Sequence, residues 1–371
     1  MHIQDREKVG TREFSAIIII TIASKFSDIT PTMLAQAGEN ASWMIPIISL
    51  LIMIVPLYVT FLLLRHYKDK NLIEVTMTVL GKPLGLLITL VLFLTSFAAN
   101  VIDTRGYIEI IGTMYYPNSP VFLIYIVFMI GTFSLAKQGF TGIARVSWSL
   151  FPYLKIPLAL LLFLVSDDLI FSRLFPFLGP GIETIAKEGF LKNSIYGELI
   201  FFGMIYPYIR NVNSYKRSMI IGSSITLFEL VIYYLAFNML FDFPTIKQVT
   251  YPFHELTRYA TIGDYVTNTE TVYFAFWLLG SVIKYAVYLF ILVLIFASMC
   301  NIKDYKKLLP LFSVLVIGVG LIPENSVELL KMRELLLNTV AFILPAIPLL
   351  LWSVAKMRGE FKREEKNNRS I

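Results

Sequence analysis

Nine ionisable side chains fall within stretches of this sequence that are otherwise apolar: Lys25, Asp28, Asp103, Arg105, Glu109, Lys155, Glu198, Glu229 and Lys284. An isolated charge in hydrocarbon costs at least about 2.5 kcal/mol on insertion scales, so each of these must be paired or wetted. Four cations against five anions is near enough to balance that internal pairing is expected. Lys25 and Asp28 stand in the run Ala23-Ser24-Lys25-Phe26-Ser27-Asp28-Ile29-Thr30-Pro31, where polar residues and a proline interrupt the first apolar stretch. Gly203-Met204-Ile205-Tyr206-Pro207-Tyr208 interrupts the sixth stretch at a matching place in the second half. Unwound backbone at membrane depth survives only where protein or a watery cavity satisfies its freed amides and carbonyls. A pair of such breaks in corresponding halves points to the substrate site of a secondary transporter. Ser24, Lys25, Ser27, Asp28 and Thr30 from the first break, with Met204, Ile205, Tyr206 and Pro207 from the second, are therefore the candidate ligand-binding residues.

The remaining charges are candidates for coupling or gating. Arg105 and Glu109 are four apart on one helix and can satisfy each other. Asp103 lies on the same span. Lys155, between Tyr153 and Pro157, is too deep to snorkel; it either binds and releases a proton against the first broken helix or forms a fixed pair with a carboxylate such as Asp28 or Asp103. Glu198 precedes the second break by about two turns, and Glu229 and Lys284 read as a packing pair. Tyr206 and Tyr208 either fill the break around Pro207 or offer it hydroxyls.

Positioning these groups requires membrane-spanning helices. The chain is 56% hydrophobic and only 16% charged, and its apolar runs of about 20 residues match about 30 Å of hydrocarbon. Stretches such as 45–64 and 84–99 are apolar all round, which no surface helix of a soluble core would be. Hydropathy places spans near 11–36, 42–65, 83–115, 119–136, 141–166, 194–210, 215–241, 269–299, 308–324 and 334–356, making an all-α polytopic membrane protein of about ten helices. Five spans per half is odd, so the second half enters with opposite orientation: a 5+5 inverted repeat, about 11–166 and 194–356, inside one transmembrane domain of residues 1–356, followed by a basic tail, 357–371. The broken helices one and six then lie antiparallel near the midplane.

Connector charges set the orientation. Arg65, Lys68, Lys70, Lys82, Lys137, Arg145, Arg210, Lys216, Arg217, Lys303, Lys306 and Lys307 fall on one side, joined at the C-terminal end by Lys356, Arg358, Lys362, Arg363, Lys366 and Arg369. The opposite connectors carry fewer, chiefly Arg173, Lys187, Lys192, Lys247, Arg258, Lys331 and Arg333. Both termini are expected in the cytoplasm, and the net charge of +6 reflects this bias rather than nucleic-acid binding. The two long outer connectors, 167–193 and 242–268, each have room for a short surface helix; the helical spacing of Ile182, Ile185, Ala186 and Phe190 marks one of them as an interfacial seal or a gating lid. The charged start leads into the first span with no small-residue cleavage site before it, so that span is expected to be retained.

Other chemistries lack their residues. A single cysteine, Cys300, allows no intrachain disulfide. The three histidines are scattered, with no HExxH and no Cys/His cluster, so no metal or cofactor site is expected. There is no GxxxxGK[ST] loop for ATP, and no enzyme signature.

Several motifs along this ten-span chain together resemble the B-type, permease subunits of bacterial spore germinant receptors, a branch of the amino acid/polyamine/organocation superfamily. They are Lys8-Val9-Gly10-Thr11-Arg12-Glu13, Asp103-Thr104-Arg105, the stretch 145–152, Phe175-Pro176 before Gly179-Pro180-Gly181, Tyr251-Pro252-Phe253-His254-Glu255-Leu256-Thr257-Arg258, and Leu321-Ile322-Pro323-Glu324. The resemblance implies a leucine-transporter-type fold, a place in the spore inner membrane, and a complex with an A-type membrane subunit and a C-type lipoprotein that senses a small nutrient of the amino-acid class. It implies ligand contacts at 24–30 and 204–207, and a proton-coupling lysine at about the position of Lys155. Lys25, Ser27 and Asp28 stand where many relatives have a glycine-bearing break. Two rival readings keep the same architecture: a proton-coupled amino acid permease, and a channel-like subunit passing water or ions along Lys25, Asp28 and Lys155.

Overall fold

A computed structural model of the chain describes residues 8–260 and 269–361. The tail's Lys362, Arg363, Lys366 and Arg369 lie outside the described residues. The described residues form ten crossing segments. Span one is Thr11–Ala23 joined through a 3₁₀ turn, Ser24–Ser27, to Thr30–Gly38. Span two is Ile45–His66, and span three Lys82–Ile110, ending in a π turn, Ile111–Tyr115. Spans four and five are Val121–Lys137 and Gly139–Leu164. Span six runs through Asn193–Tyr196, Glu198–Phe201 and Phe202–Tyr208. Spans seven to ten are Val212–Phe241, Thr269–Met299, Leu309–Gly320 and Ser326–Met357. Six continuous helical stretches among the described residues are long and apolar enough to cross a membrane unaided. Spans four and nine are shorter, and spans one and six are broken, as the interrupted sequences require.

The break in span one has a local cause. Ser24 Oγ donates to Thr21 O (3.0 Å) and Ser27 Oγ to Ser24 O (2.5 Å), so both hydroxyls satisfy carbonyls and draw the helix into a 3₁₀ turn. Asp28 is extended (φ −103°, ψ −156°), and its Oδ1 accepts the Thr30 N–H at 2.7 Å. With Pro31 in the first turn, that carboxylate restarts the helix as a cap would. Span six winds mostly as 3₁₀ turns, whose rise of about 2.0 Å per residue carries residues 193–208 across about 30 Å. Its end is tied to the start of span one: Val9 N–H donates to Tyr208 O and Arg210 N–H to Val9 O, both at 3.0 Å.

Span one is buried by its neighbours. A Cβ at Gly222 of span seven would meet Ile18 Cγ2 at 2.6 Å, so the glycine is what lets spans one and seven approach. Phe14 meets Phe202 of span six edge to face at 5.6 Å. The surface helix expected in the 167–193 connector is Ile182–Leu191, with Ile185 and Gly189 buried against span two, where Ser49 Oγ donates to Gly189 O (2.8 Å). The 242–268 connector carries Phe243–Ile246 and Pro252–Tyr259; its residues 261–268 lie outside the described residues.

Candidate functional site

The turn of span one and the first part of span six face one chamber. Its polar wall is Lys25 and Thr30 of span one, Asp103 of span three, Ser194 and Glu198 of span six, Tyr288 of span eight and Arg333 of span ten; its apolar wall includes Phe201, Val287, Ile291, Leu337 and Leu344. The cavity of about 70 Å³ exceeds several times the roughly 10–15 Å³ that one water needs, so these polar groups can be wetted.

Lys25 bridges the breaks. Its Nζ lies 2.6 Å from Glu198 Oε1 and donates to Ile195 O, while Tyr288 Oη donates to the same carboxylate. An amine from the turn of span one thus meets a carboxylate and a carbonyl from span six, where its first 3₁₀ turn gives way to the α turn Glu198–Phe201.

One turn further along, Asp28 Oδ2 accepts from Arg333 Nη2 at 2.6 Å, and the same nitrogen donates to Thr30 Oγ1 at 3.0 Å. Asp103 Oδ1 lies 3.9 Å from Arg333 Nε. Arg333, expected on an outer connector, instead lies within span ten and is only 5% exposed, which corrects that placement. Span ten begins at Ser326 rather than near 334, because Asn325 Oδ1 caps it by accepting the Glu328 N–H at 3.0 Å. Asn325-Ser326-Val327-Glu328, a capping residue followed three positions later by glutamate, is the signal that would have placed Arg333 two turns inside the helix.

Lys25 and Asp28, which could have neutralised each other, each take a partner on another span. Lys155 pairs with Glu229 Oε2 at 2.6 Å rather than with Asp28 or Asp103, so the expected packing pair of Glu229 with Lys284 is not formed. Lys155 lines a second cavity with Ser24, Ser27 and Trp277. Arg105 Nη1 meets Glu109 Oε2 at 2.6 Å, as the spacing allows, and Glu109 also accepts from Ser326 Oγ at 2.7 Å, binding span three to span ten. Ser24 and Ser27 serve the turn rather than the chamber. From the second break, Met204 and Pro207 line a separate cavity with Asp69, Lys70 and Asn71; Ile205 is buried, and Tyr206 packs edge-on to Tyr215 at 5.1 Å. Span six meets the chamber through 194–202, which ends five residues before the proline that drew attention to it. Among the described residues no group of three His, Cys, Asp or Glu side chains is placed to hold a metal ion.

A bundle with two broken helices around a central polar chamber defines a permease-type integral membrane protein of the leucine-transporter fold. A solved structure of Mhp1, a nucleobase-cation-symport-1 family transporter in a closed conformation with bromovinylhydantoin bound, superposes with a TM-score of 0.55 over 94% of this chain and 75% of that one; at 13% identity the likeness is one of fold. Residues 9–328 match the spore germination protein family, and the chain belongs to it. It is similar to spore germination protein KB of Bacillus subtilis (strain 168), at 22% identity over 311 residues and 82% of each chain. Spore germination protein YndE of the same organism is 21% identical over 97% of this chain and 98% of its own.

Proposed function

We propose that this chain is the nutrient-sensing membrane subunit of a spore germinant receptor, and that it binds a small ligand of the amino-acid class in the chamber between spans one and six. The Lys25–Glu198 pair carries the reading. A zwitterion can replace that internal pair, its carboxylate meeting Lys25 and its ammonium Glu198, without leaving a buried charge unpaired. Charge balance supports a net-neutral ligand: Lys25, Lys284 and Arg333 face Asp28, Asp103 and Glu198 around one layer, so an added net charge would stand uncompensated. The apolar wall takes the ligand's side chain.

The ligand shifts the balance between two arrangements of the broken helices, and partner subunits read the shift. Reversing such a balance from about 1:99 to 99:1 takes about 5.5 kcal/mol of preference for one state, which requires contacts from both breaks at once. The charge bias of the connectors supports termini in the cytoplasm. Membership in a family of spore germination proteins supports a place in the spore inner membrane, beside an A-type membrane subunit and a C-type lipoprotein.

The likeness to a transporter fold favours a second reading, proton-coupled uptake of the same ligand class. The experiment is a thermal-stabilisation screen of the purified chain with single amino acids, followed by liposome uptake with the best of them. Stabilisation without uptake supports the sensor; uptake driven by a pH gradient replaces it with the permease. Stabilisation by no amino acid, or by one that stabilises Glu198→Gln equally, removes the proposal.

A further inference from the structure

Lys284 of span eight has no exposed surface, and it makes no ion pair among the described residues. Its Nζ donates one hydrogen bond, to Tyr107 Oη at 3.3 Å, and lies over three rings: Tyr107 at 4.6 Å, Tyr285 at 5.4 Å and Tyr288 at 5.6 Å. A cation caged this way orders the rings around it, because each ring's negative face is drawn to the ammonium.

Each caged tyrosine reaches a different helix. Tyr107 Oη donates to Ser24 O at 3.1 Å, at the turn of span one. Tyr285 Oη donates to Asp103 O of span three at 2.7 Å, and Tyr288 Oη donates to Glu198 of span six. The turn of span one is held at its other end as well. Trp277 stacks on Tyr107, with centroids 5.0 Å apart and planes 6° from parallel, and its Nε1–H donates to Ser27 Oγ at 3.0 Å. One buried amine therefore stands between the carboxylate that holds Lys25 and the clasp that holds the hinge.

We infer that Lys284 is a positioning residue that couples the Lys25–Glu198 pair in the chamber to the hinge of span one, through Tyr288 on one side and Tyr107 on the other. A ligand that separates Lys25 from Glu198 also disturbs the acceptor of Tyr288; the shared cation passes that disturbance to Tyr107 and so to Ser24. The inference rests on reading the chamber as the ligand site, but its test uses no ligand, so that reading can fail on its own.

The test is amide hydrogen exchange on the purified, ligand-free chain in lipid nanodiscs, read at residues 24–30. Tyr107→Phe, which removes the hydroxyl on Ser24 O, speeds exchange there whether or not coupling exists. Tyr288→Phe reaches the hinge directly only through Glu198 and Lys25; the coupling predicts about tenfold faster exchange at 24–30, with span two unchanged, and the direct route alone would leave that effect intact in a Lys284→Met background. Lys284→Met does the same, and the double variant with Tyr288→Phe is no faster than Lys284→Met alone, because both act through one path. Should Lys284→Met fail to fold, the Tyr288→Phe and Tyr107→Phe pair carries the same non-additivity test. Unchanged exchange at 24–30 in Tyr288→Phe overturns the inference, as do additive effects in the double variant or acceleration spread over every span.

Discussion

Asp28 of span one and Arg333 of span ten, 305 positions apart, form a 2.6 Å ion pair that is buried on both sides. The pair lies between two cavities. Arg333 lines the chamber together with Thr30 and Asp103, and it lines a smaller cavity with Asp28, Ile102, Gly106, Tyr251 and Ser326. Asp28 is committed twice, one oxygen to Arg333 and the other to the Thr30 N–H that restarts span one. The same carboxylate thus locks the break and closes the bundle across it.

Removing one partner of a buried pair leaves the other charge uncompensated, at a cost of about 3–5 kcal/mol. Asp28→Asn is expected to lose stability in that range, while Asp28→Asn with Arg333→Met recovers more than half of the loss. Thermal unfolding in nanodiscs, analysed as a double-mutant cycle, measures both. A double variant that loses the sum of the single losses shows that the two side chains do not depend on each other.

The breaks and the charges were legible in the sequence because each breaks a rule the membrane imposes: Lys25 and Asp28 interrupt an apolar run, and Glu198 sits where hydrocarbon should be. Partners were not legible, because pairing is set by how helices rotate against one another. Glu229 reaches Lys155, and Arg333 reaches Asp28, through packing that hydropathy does not encode. Span six misled for a related reason. Pro207 advertises the break, but the 3₁₀ winding begins at Asn193, where nothing in the residue types announces it.

The Lys155–Glu229 pair, 19% and 15% exposed at its side chains, is open to some water and is worth less than a fully enclosed one. Lys155→Met is expected to cost about 1–3 kcal/mol. Adding Glu229→Gln restores most of it, since the orphaned carboxylate is then gone. The double variant also separates roles: if it keeps the wild-type response to a stabilising amino acid, Lys155 is a structural partner, and if the response vanishes with stability restored, the amine acts in coupling.

Gly222 fixes how closely spans one and seven approach. A methyl group there would lie 2.6 Å from Ile18 Cγ2 and 2.7 Å from Ile18 Cβ, and Ile18 is fully buried, so neither side can give way cheaply. Gly222→Ala is expected to destabilise by about 1–3 kcal/mol through overpacking. Gly318→Ala in span nine, where nothing lies within 4 Å of the added methyl, is the control and should leave the melting temperature unchanged or slightly raised. Equal effects at the two positions would show that the span one to span seven contact is not tightly fitted.

The Pro252–Tyr259 helix of the connector tucks His254 beneath the bundle's edge, where its ring stands perpendicular to Trp277 at 4.9 Å and its Nδ1 lies 2.8 Å from Tyr115 Oη. Burial holds the imidazole neutral, pushing its pKa from 6.5 down to about 3, and the nearby Arg258 adds to the effect. Because the docked ring resists a proton that the released ring accepts, docking is at full strength above about pH 6.5 and weakens as the pH falls below it, by up to about 1.4 kcal/mol per unit. At about pH 5 the connector helix should have lost about 2 kcal/mol of its hold on the hinge region. Melting curves at about pH 7.5 and 5 test this: the wild-type chain should be less stable at the lower pH, and His254→Gln, which cannot take up the proton, should show a clearly smaller drop. An equal drop in both would assign the acid sensitivity to other groups and leave His254 as packing alone.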